Sequence, residues 1–440
     1  MTNELDKILI SSSQPDFENM LIKLRFAVVH ATRFRIDSEE NEQVRSIVKD
    51  VVKRGDVAVA EYTGKFDGVK LTPREFRVSK SELKKAHNEI ARKNPQLLAS
   101  IRKAIRNVRK YQSKIFIGNR KYPGLRYTPI KRVGICVPGA SAPLPSTVIM
   151  TAVPALVAGV KSKDIVVVSP PRYKKSIHPV ILAVCHELGI DEVYRIGGVQ
   201  AVAALAVGTR TIRKVYKIVG PGNQWVQMAK REVFGPVDVD SIAGPSEVLI
   251  IANDRANPAW IAADMLSQVE HNPGSAILFT DSQQLAKDVL KEIKKQVKQL
   301  DRAEAAVECL KKFSGIVVFD DINKAVEWAG EFASEHLEVQ CGNESRKIAD
   351  QIENAGAIFI GEYSPVVVGD YWAGPSHTLP TGMTAKYFSA LSANDFIKAT
   401  SIIEYNKKKL AESAADIIRL AEAEGLDAHA KSVKIRQLDT

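Results

Sequence analysis

Apolar residues recur at two different periods along this chain, and the change of period divides it. Up to about residue 125 the spacing is helical. Val44 to Val52 and Lys80 to Tyr111 place apolar side chains three and four apart among many charges. Gly118 to Pro129, interrupted by Gly and Pro, reads as a linker. From Arg132 short β-rich runs alternate with helical stretches. Strands are predicted at Val133–Val137, Ile165–Ser169, Glu192–Ile196 and Val215–Val219, with helices at Ser146–Val160, Ile177–Leu188 and Val199–Val207 between them. The alternation then repeats. Strands at Val248–Ala252, Ala276–Thr280, Gly315–Phe319, Leu337–Gln340 and Ala357–Ile360 are interleaved with helices at Pro258–Val269, Gln283–Gln299 and Ile322–Ala333. Such alternation is the signature of parallel sheets with crossover helices. From Asp395 no further strand is predicted. Ile402 to Ala423 reads as one amphipathic helix, stopped by Gly425.

The pattern implies an α/β chain with four parts: a mostly helical region over 1–125, one α/β domain over 126–240, a second over 241–394, and a helical arm over 395–440. A length of 440 residues agrees with more than one globular unit. The tail from Asp427 is too short to fold alone and is expected to dock on its own body or on a partner subunit.

Composition narrows the class. The longest apolar candidate, Thr147 to Val160, is broken by Pro154 and Gly159 and is too short for a membrane span. The start, Met-Thr-Asn-Glu-Leu-Asp, lacks the basic and apolar stretches of a signal peptide, so a cytoplasmic protein with no membrane partner is expected. The four cysteines lie far apart with no CxxC, which argues against a disulfide framework and a cysteine zinc site. The net charge of +11 is matched by one segment, Ile101 to Gly134, with eleven basic residues and no acidic one. A nucleic-acid surface is the sharp reading. No zinc finger, RNA-binding aromatic motif or helix-turn-helix accompanies it, so a solvated belt is favoured and no nucleic-acid partner is expected.

Two strings hold the chemistry. Leu-Ser-Gln-Val-Glu-His puts Gln268 and His271 three apart, on one helix face. With Asp370, in an irregular Gly- and Pro-rich stretch, and His429, in the tail, they make a mixed nitrogen and oxygen set suited to Zn²⁺. Scattered over 160 positions, each taken singly reads more readily as structural. In Ser-Glu-His-Leu-Glu, Glu335 and His336 are adjacent, and both can serve one pocket only at a turn or strand end. They read equally well as two general bases or as a surface Glu beside a half-buried His. Pro138-Gly139 ends the first strand, where a nucleotide sits in a doubly wound sheet, yet no GxGxxG follows any strand.

Assembled, these residues carry a resemblance. The chain resembles the histidinol dehydrogenase family from about residue 30 onward, through Ile218-Val-Gly-Pro-Gly-Asn223, Ile242-Ala-Gly-Pro-Ser-Glu247, Leu266-Ser-Gln-Val-Glu-His271, Ser334-Glu-His-Leu-Glu338, Gly369-Asp-Tyr-Trp-Ala-Gly-Pro-Ser-His377 and Leu420-Ala-Glu-Ala-Glu-Gly-Leu-Asp-Ala-His429. The resemblance implies two incomplete Rossmann-like domains and oxidation of L-histidinol to L-histidine, the last step of histidine biosynthesis, by two NAD⁺ through an enzyme-held aldehyde. It further implies Zn²⁺ on Gln268, His271, Asp370 and His429. His336 would be the base for the alcohol and Glu335 the base that activates water. Ser246, His377 and Glu424 would join the metal ligands and His336 around the substrate, and Cys136, Gln200 and Asn223 would contact NAD. The implied assembly is a homodimer with shared active sites, in which the tail completes the partner's site. Three positions depart from the family: Cys136 stands where Tyr is common, Ala140 replaces the second Gly of a Pro-Gly-Gly turn, and Ser334 replaces a frequent Pro. A sister branch oxidises a sulfonated propanediol; Gly-Pro-Ser-His377 and Glu424-Gly-Leu-Asp-Ala-His429 go with the histidinol branch.

Overall fold

The structure, a computed structural model, describes residues 3–32, 38–139, 143–270 and 273–437. Its strands run in chain order as β1 (Leu9–Ser11), β2 (Leu125–Pro129), β3 (Val133–Cys136), β4 (Ile165–Val168), β5 (Glu192–Tyr194), β6 (Lys217–Val219), β7 (Asp238–Val239), β8 (Ser246–Ala252), β9 (Gly274–Thr280), β10 (Gly315–Val318), β11 (His336–Gln340), β12 (Ala357–Ile360) and β13 (Ile397–Ser401). They fall in two compact units, one of Met1–Ile117 with Pro129–Ile397, the other of Gly118–Thr128 with Lys398–Thr440.

The first unit holds two parallel sheets, ordered β5-β4-β3-β6-β7 and β1-β10-β9-β8-β11-β12. Without β1 the second repeats the first. The earliest strand lies in the middle, the next two are laid to one side, and the last two to the other. This is the order of a doubly wound, Rossmann-like half. The α/β fold expected from the alternation is therefore the one observed.

The strand sequences show why. β4 is Ile-Val-Val-Val with every residue buried, as a parallel strand covered on both faces requires. Ile165 and Val167 enter one core with helices Pro145–Val157 and Pro179–Glu187; Val166 and Val168 enter the other with helices Glu39–Arg54 and Gly198–Val207. The second sheet is covered likewise, by helices Pro258–Val269 and Gln283–Gln296 on one face and by Phe17–Thr32 and Ile322–Phe332 on the other. The residues before 118 thus serve both sheets, and β1 adds an edge strand, Ile10 opposite Val317, that helical spacing does not announce. Lys80 to Tyr111 is two helices, Lys80–Lys93 and Pro95–Ile115. Pro95 starts the second, and the Asn94 side chain caps it, accepting the Leu97 N–H at 3.0 Å.

In the second unit three expectations are corrected. The supposed linker contains β2, and a strand, β13, does follow Asp395; the two pair with each other. Both are short and half exposed, so neither carries a clear period-two pattern, and each needs a partner distant in sequence. The arm's helix begins at Lys407 rather than Ile402, where Asn406 accepts the Lys409 N–H at 2.9 Å. It ends at Gly425, φ +71, as the left-handed stop requires.

Candidate active site

In the first unit a cleft of ≈ 1350 Å³ runs between the two sheets. One wall is the carboxyl ends of β3, β4 and β6 with the segments that follow them. The other is the amino end of β8, the end of helix Pro258–Val269 and the segment around Asp370. The first wall sits at the point where the strand order reverses, the usual place for a nucleotide. The second sheet is used the other way round, at its amino ends.

On the first wall β6 runs into Gly220, φ +110. A Cβ there would stand 2.3 Å from the Cys136 carbonyl oxygen, so only glycine lets the loop pass. The Gly220 N–H donates to Asp240 at 2.7 Å, its carbonyl accepts from the Lys230 ammonium at 3.2 Å, and those two buried charges pair with each other. Asn223 caps helix Gln224–Val233, accepting the Val226 N–H at 3.2 Å. Gln200, in the first turn of helix Gly198–Val207, is buried with neither end of its amide hydrogen-bonded. Cys136 is buried beside them, and burial pushes its thiol up to about 12, so it is an inert thiol. These three residues, distant in sequence, line one wall to which two helix N-termini contribute N–H groups.

Behind the second wall lies the pair that spacing left open. Helix Ile322–Phe332 ends at Ala333, φ +46, and the chain turns through Ser334 and Glu335 into β11. Glu335 is 5% and His336 4% exposed, which rules out a surface glutamate. Their side chains approach at 3.4 Å, and His336 Nε2 lies 3.9 Å from an Asp370 oxygen. Glu247 of β8 joins them. Its N–H donates to Glu335 at 3.0 Å, and its carboxylate accepts the N–H groups of Glu335 and Gly382, each at 3.1 Å. Its backbone carbonyl meets His336 Nδ1 at 3.1 Å. Burial raises all three acids: Glu335 well above the carboxylate range, with the charges of Glu247 and Asp370 adding to it, Glu247 to about 7, and Asp370 to about 6.

Sequence reasoning passed over Glu247. The available signal is a carboxylate heading Val-Leu-Ile-Ile-Ala, a run buried throughout; an acid there needs partners. Of the predicted set, Ser246, Gln268 and Asp370 line the cleft. Glu335 and His336 stand behind them, with Ser246 hydrogen-bonded to Glu335. Gln268 is fixed by a close approach, since a Cβ on Gly274 would lie 2.3 Å from its carbonyl oxygen. Its buried amide nitrogen has no hydrogen-bond partner, and a half-turn of the amide would offer its oxygen as a ligand. His377 is half-buried and His271 lies outside the described residues. Glu424 and His429 belong to the second unit, exposed at and beyond the end of helix Lys407–Ala423. Among the described residues no three His, Cys, Asp or Glu are grouped to hold a metal. In the basic segment, Arg102 pairs with Glu187 and the buried Arg132 with Glu192.

Comparison with known proteins completes the picture. The family model described as histidinol dehydrogenase matches residues 32–437. A histidinol dehydrogenase of Rhodopirellula baltica is 46% identical over 402 residues, covering 90% of this chain and 86% of the relative. One from Agrobacterium fabrum is 42% identical over 437 residues, covering 98% of each. The crystal structure of histidinol dehydrogenase from Elizabethkingia anophelis superposes with a TM-score of 0.87 at 34% identity, over 98% of this chain and 99% of that one.

Proposed function

The chain belongs to the histidinol dehydrogenase family, and from that premise we propose that it oxidises L-histidinol to L-histidine with two NAD⁺. The observation that carries this reading is the buried Glu335–His336 pair, set behind Ser246 and Asp370 and facing a nucleotide-type wall across one cleft.

The first wall would hold NAD, the acceptor of both hydrides, with Gln200 offering its unpartnered amide and Asn223 holding the helix start. His336 donates its Nδ1 proton to the Glu247 carbonyl, which leaves Nε2 as the nitrogen that takes the alcohol proton while hydride leaves the carbinol carbon. Glu335, made more basic by burial, removes a proton from the water that adds to the aldehyde. The hydrate then gives up the second hydride and a proton, leaving the carboxylate. Glu335 and His336, buried behind the cleft wall, act on the aldehyde away from bulk water.

Gln268 and Asp370 fit a zinc ion: a buried carbonyl ligand and a carboxylate at one wall. His271 and His429 complete the set that the family resemblance implies. When bound, zinc supplies a Lewis acid and a template for the substrate's nitrogens. Ser246, His377 and Glu424 are assigned to the substrate on the same grounds. The molecule works as a homodimer in which Glu424 and His429 reach the partner's site. In support, helix Lys407–Ala423 buries only Ala414 and Ala421 among its own described residues, and Ile403 and Leu420 are 84% and 67% exposed. No described helix is long and apolar enough to cross a membrane; a cytoplasmic location is part of the proposal.

The test is stoichiometry. Purified protein with Zn²⁺, NAD⁺ and L-histidinol should yield two NADH per histidine; one NADH with release of aldehyde overturns the reading. Preference for a sulfonated propanediol over histidinol assigns the chain to the sister activity. Glu335→Gln should slow the second oxidation about 10²-fold or more and spare the first, and His336→Asn should slow the first. Identical behaviour of both variants refutes the division of roles.

A further inference from the structure

Three elements carry groups assigned above to the reaction: helix Pro258–Val269 with Gln268, β11 with His336, and the short helix Val366–Tyr371 with Asp370. One buried cluster beneath the site touches all three. Glu338 and Gln340 follow His336 at two-residue intervals on β11, so the three side chains share a face of a strand buried from end to end. The Gln340 amide donates to Asp264 and to Glu338, at 3.0 Å each. Asp264 lies one turn before Gln268 on its helix. The other Glu338 oxygen accepts the N–H of Val366, first residue of the Asp370 helix, at 2.9 Å. Glu338 and Asp264 also hydrogen-bond to each other. Burial raises both acids, with the Asp264 charge adding to the rise of Glu338, so the pair holds a proton between its two carboxyl groups.

We propose that Glu338 is a positioning residue of the active site, which fixes the Gln268, His336 and Asp370 elements relative to one another through Asp264 and the Val366 N–H. What is being positioned rests on the function proposed above; the contacts do not. Glu338 does two things at once: one oxygen accepts the Val366 N–H and the other the Gln340 amide, and the carboxyl group meets Asp264. Glutamine keeps the Val366 bond and can donate to Asp264 in place of accepting from Gln340, and leucine does neither, which separates this role from a requirement for charge or for mere volume.

The experiment compares Glu338→Gln, Glu338→Leu and the parent enzyme. Glu338→Gln should keep kcat for histidinol within about threefold. Glu338→Leu should lose about 10²-fold in kcat with KM for NAD⁺ unchanged, the scale expected when reacting groups are displaced by about an ångström. Hydrogen exchange in 366–371 should accelerate about tenfold or more in Glu338→Leu, and β3 and β4 should be unaffected. If Glu338→Leu does not fold, Val366→Pro removes the N–H at a first helical position that tolerates proline and should reproduce the kcat loss, whereas Val366→Ala, which trims the same buried side chain but keeps the N–H, should not. Unchanged kcat, a uniform rise in exchange, or equal damage in Glu338→Gln and Glu338→Leu overturns the proposal. Should the parent enzyme fail to oxidise histidinol, the functional reading falls and the exchange comparison alone decides the positioning role.

Discussion

Replacing Glu247 by glutamine should stabilise the protein above neutral pH. Both N–H groups that Glu247 accepts, from Glu335 and Gly382, go to the same carboxylate oxygen, so the glutamine carbonyl retains both bonds. What disappears is a buried ionisable group whose pKa burial raises from 4.5 to about 7. Below pH about 4.5 the folded and unfolded chains both carry the proton, and there is no penalty. Between about 4.5 and about 7 the folded chain keeps a proton that the unfolded chain has released, so stability falls as pH rises, by about 3 kcal/mol over the window. Above about 7 the loss is complete and constant. Glu247→Gln lacks this fall, so its advantage over the parent should grow by about 3 kcal/mol between pH 4.5 and 8. Glu335 titrates with Glu247, and the difference reports the pair as a unit. Urea unfolding of both proteins across that range, at one protein concentration and with chelator present, measures it. Curves that stay parallel within about 0.5 kcal/mol would show that Glu247 ionises as an ordinary surface acid, and the argument from burial would fail.

Two further perturbations probe the first wall. Lys230→Met strands the buried Asp240 charge and releases the Gly220 carbonyl, so it should cost about 3–5 kcal/mol in denaturant unfolding; a loss under 1 kcal/mol would mean that water reaches the pair. Gly220→Ala sets a methyl group against the Cys136 carbonyl at φ +110, and should destabilise by on the order of 3 kcal/mol and raise KM for NAD⁺ more than KM for histidinol, measured by steady-state kinetics; equal effects on both would refute a role confined to this wall.

The order of elements was legible because each buries its own apolar positions at its own period. A run such as Ile165 to Val168 is buried on both faces and announces a covered parallel strand without reference to anything distant. Family strings located the candidate site residues for the same reason: they are short and contiguous. β2 and β13 escaped, since half-exposed strands carry a weak pattern and find each other across more than 260 intervening residues. Glu247 escaped because its importance is a matter of what surrounds it.

By itself, then, the sequence determined the α/β alternation, its repetition, and candidate residues of the site. Local side-chain periodicity and turn chemistry act over a few residues, and a reader of the chain can follow them. Only the tertiary structure decided that the first sheet presents its carboxyl ends and the second its amino ends to one cleft, since that depends on how two sheets pack through long connections. It also removed the surface reading of Glu335. Adjacency in sequence is neutral between solvent and interior, and the burial of both groups against Glu247, with the resulting shift of its acids, arises only when β8 and β11 lie side by side.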